Sequence, residues 1–149
     1  MRRWVIRGFV TLAIIAGVTL LWWQMTISQN VVRLHGHTYQ MTVMRTEAER
    51  ARGLSGTSSL SADQAMLFVF PNDDKWAIWM KDMKYPIDIV WLDNSGQVVH
   101  TVKNAQPSGY PKEQFRPASN SRYVIELASG TIEQTGIKNG DLAGLPSGV

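Results

Sequence analysis

The sequence predicts an α+β domain, mainly antiparallel β-sheet curled towards a small barrel with short helices, behind an N-terminal transmembrane helix. Three observations predict it. Short β-branched and aromatic runs alternate with turn residues along the body of the chain. The helical signals are brief and closed by glycine. Residues 8–27 (GFVTLAIIAGVTLLWWQMTI) carry no charge at all.

That apolar run is long enough to span a bilayer, because twenty helical residues rise about 30 Å. Arg2, Arg3 and Arg7 precede it, and the next cation is Arg33. The positive-inside rule then keeps the N-terminus in the cytoplasm and sends the body outward, to a periplasmic or extracellular location. Trp22 and Trp23 fall where an interfacial aromatic belt would lie. A cleaved signal peptide shares the basic start and apolar centre, but Thr26-Ile27-Ser28 is a poor small-x-small cleavage site. The expected organisation is therefore a single-pass cell-membrane anchor (or uncleaved signal segment) over 1–28, one domain over 29–143 and a disordered tail over 144–149.

The body reads as follows. Val31–His35 and Thr38–Met44 flank Gly36-His37 and form a hairpin. Thr46-Glu-Ala-Glu49 has capping-box spacing and opens a short helix that ends at Gly53. Met66–Phe70 is a continuous apolar run stopped by Pro71, as in a strand buried on both faces. Trp76–Met80 is expected as a further strand, and Ile87–Leu92 as another. Asp93-Asn-Ser-Gly96 is a turn that leads into Gln97–Val102. Residues 104–121, polar and proline-rich, form a long loop. Arg122–Leu127 is the last clear strand. Thr131–Thr135 is a short helix closed by Gly136, Lys138–Asp141 a turn, and Ala143–Val149 a frayed tail.

Composition excludes several functions. There is no cysteine, hence no disulfide, thiolate nucleophile or cysteine-based zinc site. Of 15 Lys and Arg, three precede the apolar run, and the 12 that follow balance 12 Asp and Glu. The body is thus neutral, without the basic stripe that nucleic acid requires. No P-loop, dinucleotide fingerprint or Gly-x-Ser-x-Gly elbow is present. His35 and His37 are spaced as a metal pair but lack a third ligand, so no metal or cofactor is expected.

Several blocks in order carry a resemblance. They are Glu49-Arg50-x-x-Gly53-Leu54, Met66-Leu67-Phe68-x-Phe70, Trp79-Met80-Lys81 and Pro86-Ile87-Asp88-Ile89, followed by Asp93-x-x-Gly96, Arg122-Tyr123-Val124-x-Glu126 and Gly140-Asp141. Over about residues 38–142 the chain resembles the domain of unknown function 192 family. It departs from that pattern at Ala65, where the family has Gly, and at Asp82-Met83, where it has Asn-Thr. The resemblance implies a β-rich α+β fold and frequent export, carries no catalytic role, and brings a suggested link to carbohydrate recognition.

Candidate chemistry gathers between Trp79 and Asp88. Trp76, Trp79, Tyr85 or Trp91 could stack on a sugar ring while Lys81, Asp82 and Asp88 hydrogen-bond its hydroxyls. The competing structural reading buries the tryptophans and pairs Lys81 with Asp88. Arg50 sits on the first helix, where packing also explains it. Arg122 and Glu126 share one face of a strand and could line the same cleft. The sequence thus supports a membrane-anchored binding domain for a small polar or carbohydrate ligand. Two alternatives remain. One is an envelope carbohydrate-active enzyme using Asp82, Asp88 or Glu126 as a carboxylate pair. The other is an assembly module that meets a protein partner through the 104–121 loop.

Overall fold

A computed structural model describes residues 31–146, 148 and 149. The expected membrane anchor lies outside the described residues, among which no helix is long and apolar enough to cross a membrane.

Strands β1 (Val31–Leu34) and β2 (His37–Met44) form the expected hairpin. The turn residues are His35 and Gly36 rather than Gly36 and His37, because Leu34 pairs with His37. Both have positive φ, 49° and 81°, as a two-residue hairpin of primed type requires. A Cβ at Gly36 would meet nothing within 4 Å. Its substitution therefore tests backbone strain alone. Gly36→Val should destabilise the domain by about 1–2 kcal/mol, read as a lower urea midpoint at unchanged slope.

Helix α1 (Glu47–Arg52) follows, with the capping box formed as expected. The Thr46 hydroxyl accepts from the Glu49 amide, and the Glu49 carboxylate accepts from the amides of Thr46 and Arg45 at 2.8 and 2.9 Å. Those amides hold the Glu49 carboxyl below its usual range. Strand β3 (Gln64–Asp74) then pairs with β2 in parallel, and every other pairing in the sheet is antiparallel. β3 runs past Pro71, which does not stop it. The register against its antiparallel neighbour shifts between Val69 and Asp74, and proline is tolerated in that irregularity because no ladder bond is lost there.

The expected strand over Trp76–Met80 is absent. The segment makes one bridge, Ile78 to Phe115 of the long loop. The strands it packs on are already paired on both sides: β4 (Ile87–Leu92) is flanked by β5 (Val98–Ala105) and β6 (Ser121–Ala128), and β3 by β2 and β6. The loop between β5 and β6 is largely irregular, with one short 3-10 turn at Pro107–Gly109. Helix α2 (Thr131–Thr135) ends on Gly136 at φ 78°. Strand β7 (Ala143–Gly144) pairs with β1, so the residues read as the start of a frayed tail are part of the sheet. Beyond them Leu145 and Val149 pack against the core.

The seven strands run in the order β5-β4-β6-β3-β2-β1-β7. The two ends of this sheet also meet. Val98 at the start of β5 donates to the Asp141 carbonyl at 2.8 Å, and Gln97 bridges Leu142 just before β7. The sheet is therefore curled, mostly antiparallel and joined edge to edge at one end, and the described residues add two short α-helices.

Both faces of the sheet are covered, and the side-chain alternation of strands decides which residues go where. Along β4, Val90 and Leu92 enter one core with Val32, Leu34, Leu67, Ile125 and Ile132. Ile87, Ile89 and Trp91 enter the other with Met66, Phe68, Phe70, Met80 and Val124. β4 is buried along its whole length, which explains an apolar sequence that only Asp88 interrupts.

Candidate functional site

The second face carries a cleft of about 650 Å³, within the range of small-molecule sites. Helix α1, the middle of β3, the 74–83 segment and Arg116 of the long loop enclose it. Its base includes Glu126, which is 5% exposed and whose Oε2 has no hydrogen-bond partner. Burial pushes the Glu126 carboxyl up to about 8. At neutral pH it is therefore a carboxylic acid, able to donate one hydrogen bond and accept others.

Aromatic rings form one wall. Phe70 stacks on Trp76 with centroids 4.3 Å apart and planes 10° apart. The Arg50 guanidinium lies 5.2 Å from the Phe70 centroid, a cation–π distance. Arg50 is fixed there because its Nη1 donates to the carbonyls of Val69, at 3.0 Å, and Arg45. Trp76 is tied by its indole N–H to the Asn72 carbonyl at 3.0 Å, and its own carbonyl accepts from the buried Trp91 indole at 2.9 Å. These bonds hold the irregular 74–80 segment in place without a strand. Trp79 is 44% exposed and offers its indole at the mouth.

The turn after Met80 is fastened to the segment following α1. The Ser55 hydroxyl donates to the Lys81 carbonyl at 2.7 Å, and the Gly56 amide to the Asp82 carbonyl at 3.1 Å. The long loop is stapled back by the reciprocal Ile78–Phe115 pair, with both N–H···O distances 2.9 Å. That staple brings Arg116 to the rim. Its guanidinium donates to Gln114 Oε1 at 3.0 Å and to the Lys75 carbonyl at 3.4 Å.

Of the residues singled out from sequence, Arg50, Trp76, Trp79, Lys81 and Glu126 line the cleft. Asp82 does not; it sits in the turn at φ 54° with its carbonyl engaged. Asp88 is fully buried, and its carboxylate accepts from the amides of Asn104 at 2.8 Å and Ile132 at 2.7 Å. It points to the opposite face of the sheet from Glu126, so it forms neither a ligand contact in this cleft nor an ion pair with Lys81. Arg122 shares the Glu126 face but lies towards the strand end, 3.6 Å from Asp73. Trp91 is buried, and the Tyr85 hydroxyl is bonded to Thr57 at 2.7 Å. The carboxylate pair expected from Asp82, Asp88 and Glu126 is therefore not assembled.

Sequence reading did not single out Arg116 or the Phe70–Trp76 stack. A tryptophan at the tail of an apolar run interrupted by Pro71 was the available signal for the stack. Arg116 had none, since its place depends on a contact with a segment about forty residues earlier. Of the histidines, His35 is bonded through Nδ1 to Asp141 at 2.8 Å. Among the described residues no group of three His, Cys, Asp or Glu could hold a metal ion.

Fold and site together define a small β-rich α+β domain that keeps a buried acid beneath an aromatic, cation-rimmed cleft. Residues 30–144 match the family described as an uncharacterized ancient conserved region, DUF192, and the chain belongs to that family. A UPF0127 protein of Thermococcus sibiricus is 29% identical over 106 residues, covering 70% of this chain and 64% of that one. The match thus spans less than two thirds of that relative's length. A protein of unknown function from Novosphingobium aromaticivorans has a similar structure, with TM-score 0.72 and 28% identity over 76% of this chain and 83% of that one. A structure titled a putative transcription regulator from Sinorhizobium meliloti is similar at TM-score 0.71 and 26% identity, covering 76% and 91% respectively.

Proposed function

We propose that this chain is a membrane-tethered binding domain that presents its cleft outside the cytoplasm to a small hydroxyl-bearing ligand of saccharide size. The observation that carries the reading is Glu126. A buried carboxylic acid with an unpartnered oxygen at the base of an open cleft is costly unless something polar meets it there. Rings on the walls and one placed donor below are the usual composition of a pocket for a small polar molecule. Trp79 is suited to stack on the apolar face of a sugar ring, and Glu126 to bond a hydroxyl.

The tether rests on the sequence: an uncharged twenty-residue run guarded on one side by three arginines. No nucleic-acid partner is proposed, because charges balance over the rest of the chain.

The test uses the full-length chain in mild detergent and a panel of mono- and disaccharides, followed by saturation-transfer NMR. Binding is expected at millimolar strength or better, with Trp79→Ala weakening it about fivefold to tenfold, the worth of one stacked ring. No saturation transfer to any saccharide would overturn the ligand reading. Fractionation of the full-length chain with soluble protein after gentle lysis would overturn the tether.

A further inference from the structure

The charge of the cleft carries the ligand's chemistry one step further, and the step rests on the binding reading above. Five cations line the cleft: Arg50, Arg52, Lys75, Lys81 and Arg116. The same lining includes two exposed carboxylates, Glu47 and Asp74, and the buried Glu126. Among the described residues, none of the five cations lies within ion-pair distance of a carboxylate. The body as a whole is neutral, so this excess is local.

The cations differ in what they have left to offer. Arg50 is held in place by two backbone carbonyls, both met by its Nη1, and lies over the Phe70 ring. Arg116 is held by Gln114 and the Lys75 carbonyl, and a guanidinium has five N–H donors, so further donors remain for an anion. The Lys81 backbone is fixed by Ser55, while its ammonium is not engaged by any described carboxylate. The same cleft is lined by the ring of Trp79 and, at its base, the acid of Glu126.

We infer that the ligand is an acidic saccharide: a hydroxylated ring whose carboxylate meets Arg116 and Lys81 at the rim, whose face stacks on Trp79 and whose hydroxyl bonds Glu126. A bare inorganic anion would use the cations and leave the ring and the buried acid without a role. A neutral sugar would use the ring and leave the cations unanswered.

The experiment titrates the full-length chain in mild detergent at pH 6 with glucuronate, galacturonate and mannuronate. Each is set beside the neutral hexose of the same stereochemistry, and inorganic phosphate is run separately. At least one hexuronate should bind about tenfold tighter than its neutral partner, since hydrogen bonds to charged groups are roughly twice as strong as neutral ones. Lys81→Gln with Arg116→Gln should bring that ratio to about one. The ratio is read on a single preparation, so partial loss of folded protein cancels. Hexoses that bind as tightly as their hexuronates would overturn the acidic-ligand inference and leave the binding reading standing. Phosphate that binds as tightly as the best hexuronate would overturn the saccharide part of the inference. Failure of every sugar, neutral and acidic, would overturn both the inference and the reading beneath it.

Discussion

Glu126→Gln should remove most of the pH dependence of this domain's stability between pH 5 and pH 8. Burial pushes the folded Glu126 carboxyl from its ordinary 4.5 up to about 8. Between those values the folded protein holds a proton that the unfolded chain has released. The unfolded state then binds fewer protons than the folded one, so stability falls as pH rises through the window. The contribution is fully present below about pH 4.5 and gone above about pH 8. Each pH unit is worth about 1.4 kcal/mol, so the window spans on the order of 3–5 kcal/mol. For a domain of this size that is more than about 10 °C in Tm. Glu49 and Asp141, whose carboxyls are held below their usual range, titrate under pH 4.5 and act outside the window. Gln has the shape of the protonated acid and cannot ionise. The variant should match the parent near pH 5 and unfold at a higher temperature near pH 8. Thermal unfolding followed by circular dichroism across pH 5–9 reads the difference directly. Parallel curves for the two proteins would mean that Glu126 is not a buried acid.

The same residue shows how far the sequence could be read. Glu126 was placed beside Arg122 on one strand face, and period-2 alternation delivers that much. Whether the face is open or covered depends on α1 and the 74–83 segment folding over it, which no local pattern encodes. Hairpins were legible because turn chemistry is local: Asp93–Gly96 closes where glycine permits positive φ, and the first turn falls at His35-Gly36, one residue before the expected Gly36-His37. The capping box at Thr46 was legible for the same reason.

Errors arose where tertiary pairing decided the outcome. Trp76–Met80 has a strand-like composition, yet β3 and β4, the strands it packs on, already had two partners each. Ala143-Gly144 has almost no β signal, yet it pairs because β1 had one edge free. Pro71 looked like a stop, but it fell where the ladder was already irregular. Asp88 misled most. An acid between a basic turn and an apolar strand suggests a site, and which side of the sheet it faces is set by register.

Asp88→Ala should therefore destabilise the fold severely while leaving the cleft's chemistry in place. Asp88 is fully buried and accepts from two backbone amides, Asn104 at 2.8 Å and Ile132 at 2.7 Å. Ile132 is in the first turn of α2, whose N-cap is Gly130, a residue with no side chain to satisfy the exposed amides. The carboxylate reaches across from β4 to do the capping that Gly130 cannot, and its negative charge suits the helix N-terminus. Asn104, at φ 52°, turns its amide inward to the other oxygen. Alanine would strand the Ile132 amide in the core and the Asn104 amide at a part-buried position, each at about 1–3 kcal/mol, for a total of roughly 3–5 kcal/mol with the small void included. Asparagine should recover less than half of this, because one of its two terminal atoms is a donor facing a donor. Urea midpoints of the parent, D88A and D88N measure both effects. The ordering also separates structure from ligand recognition. A carboxylate that served a ligand would lose binding on substitution and keep stability. Asp88 should do the reverse, with whatever fraction of D88N remains folded binding the same saccharides as the parent. A midpoint for D88A within about 1 kcal/mol of the parent would show that the two amides find other partners and that Asp88 is free for another role.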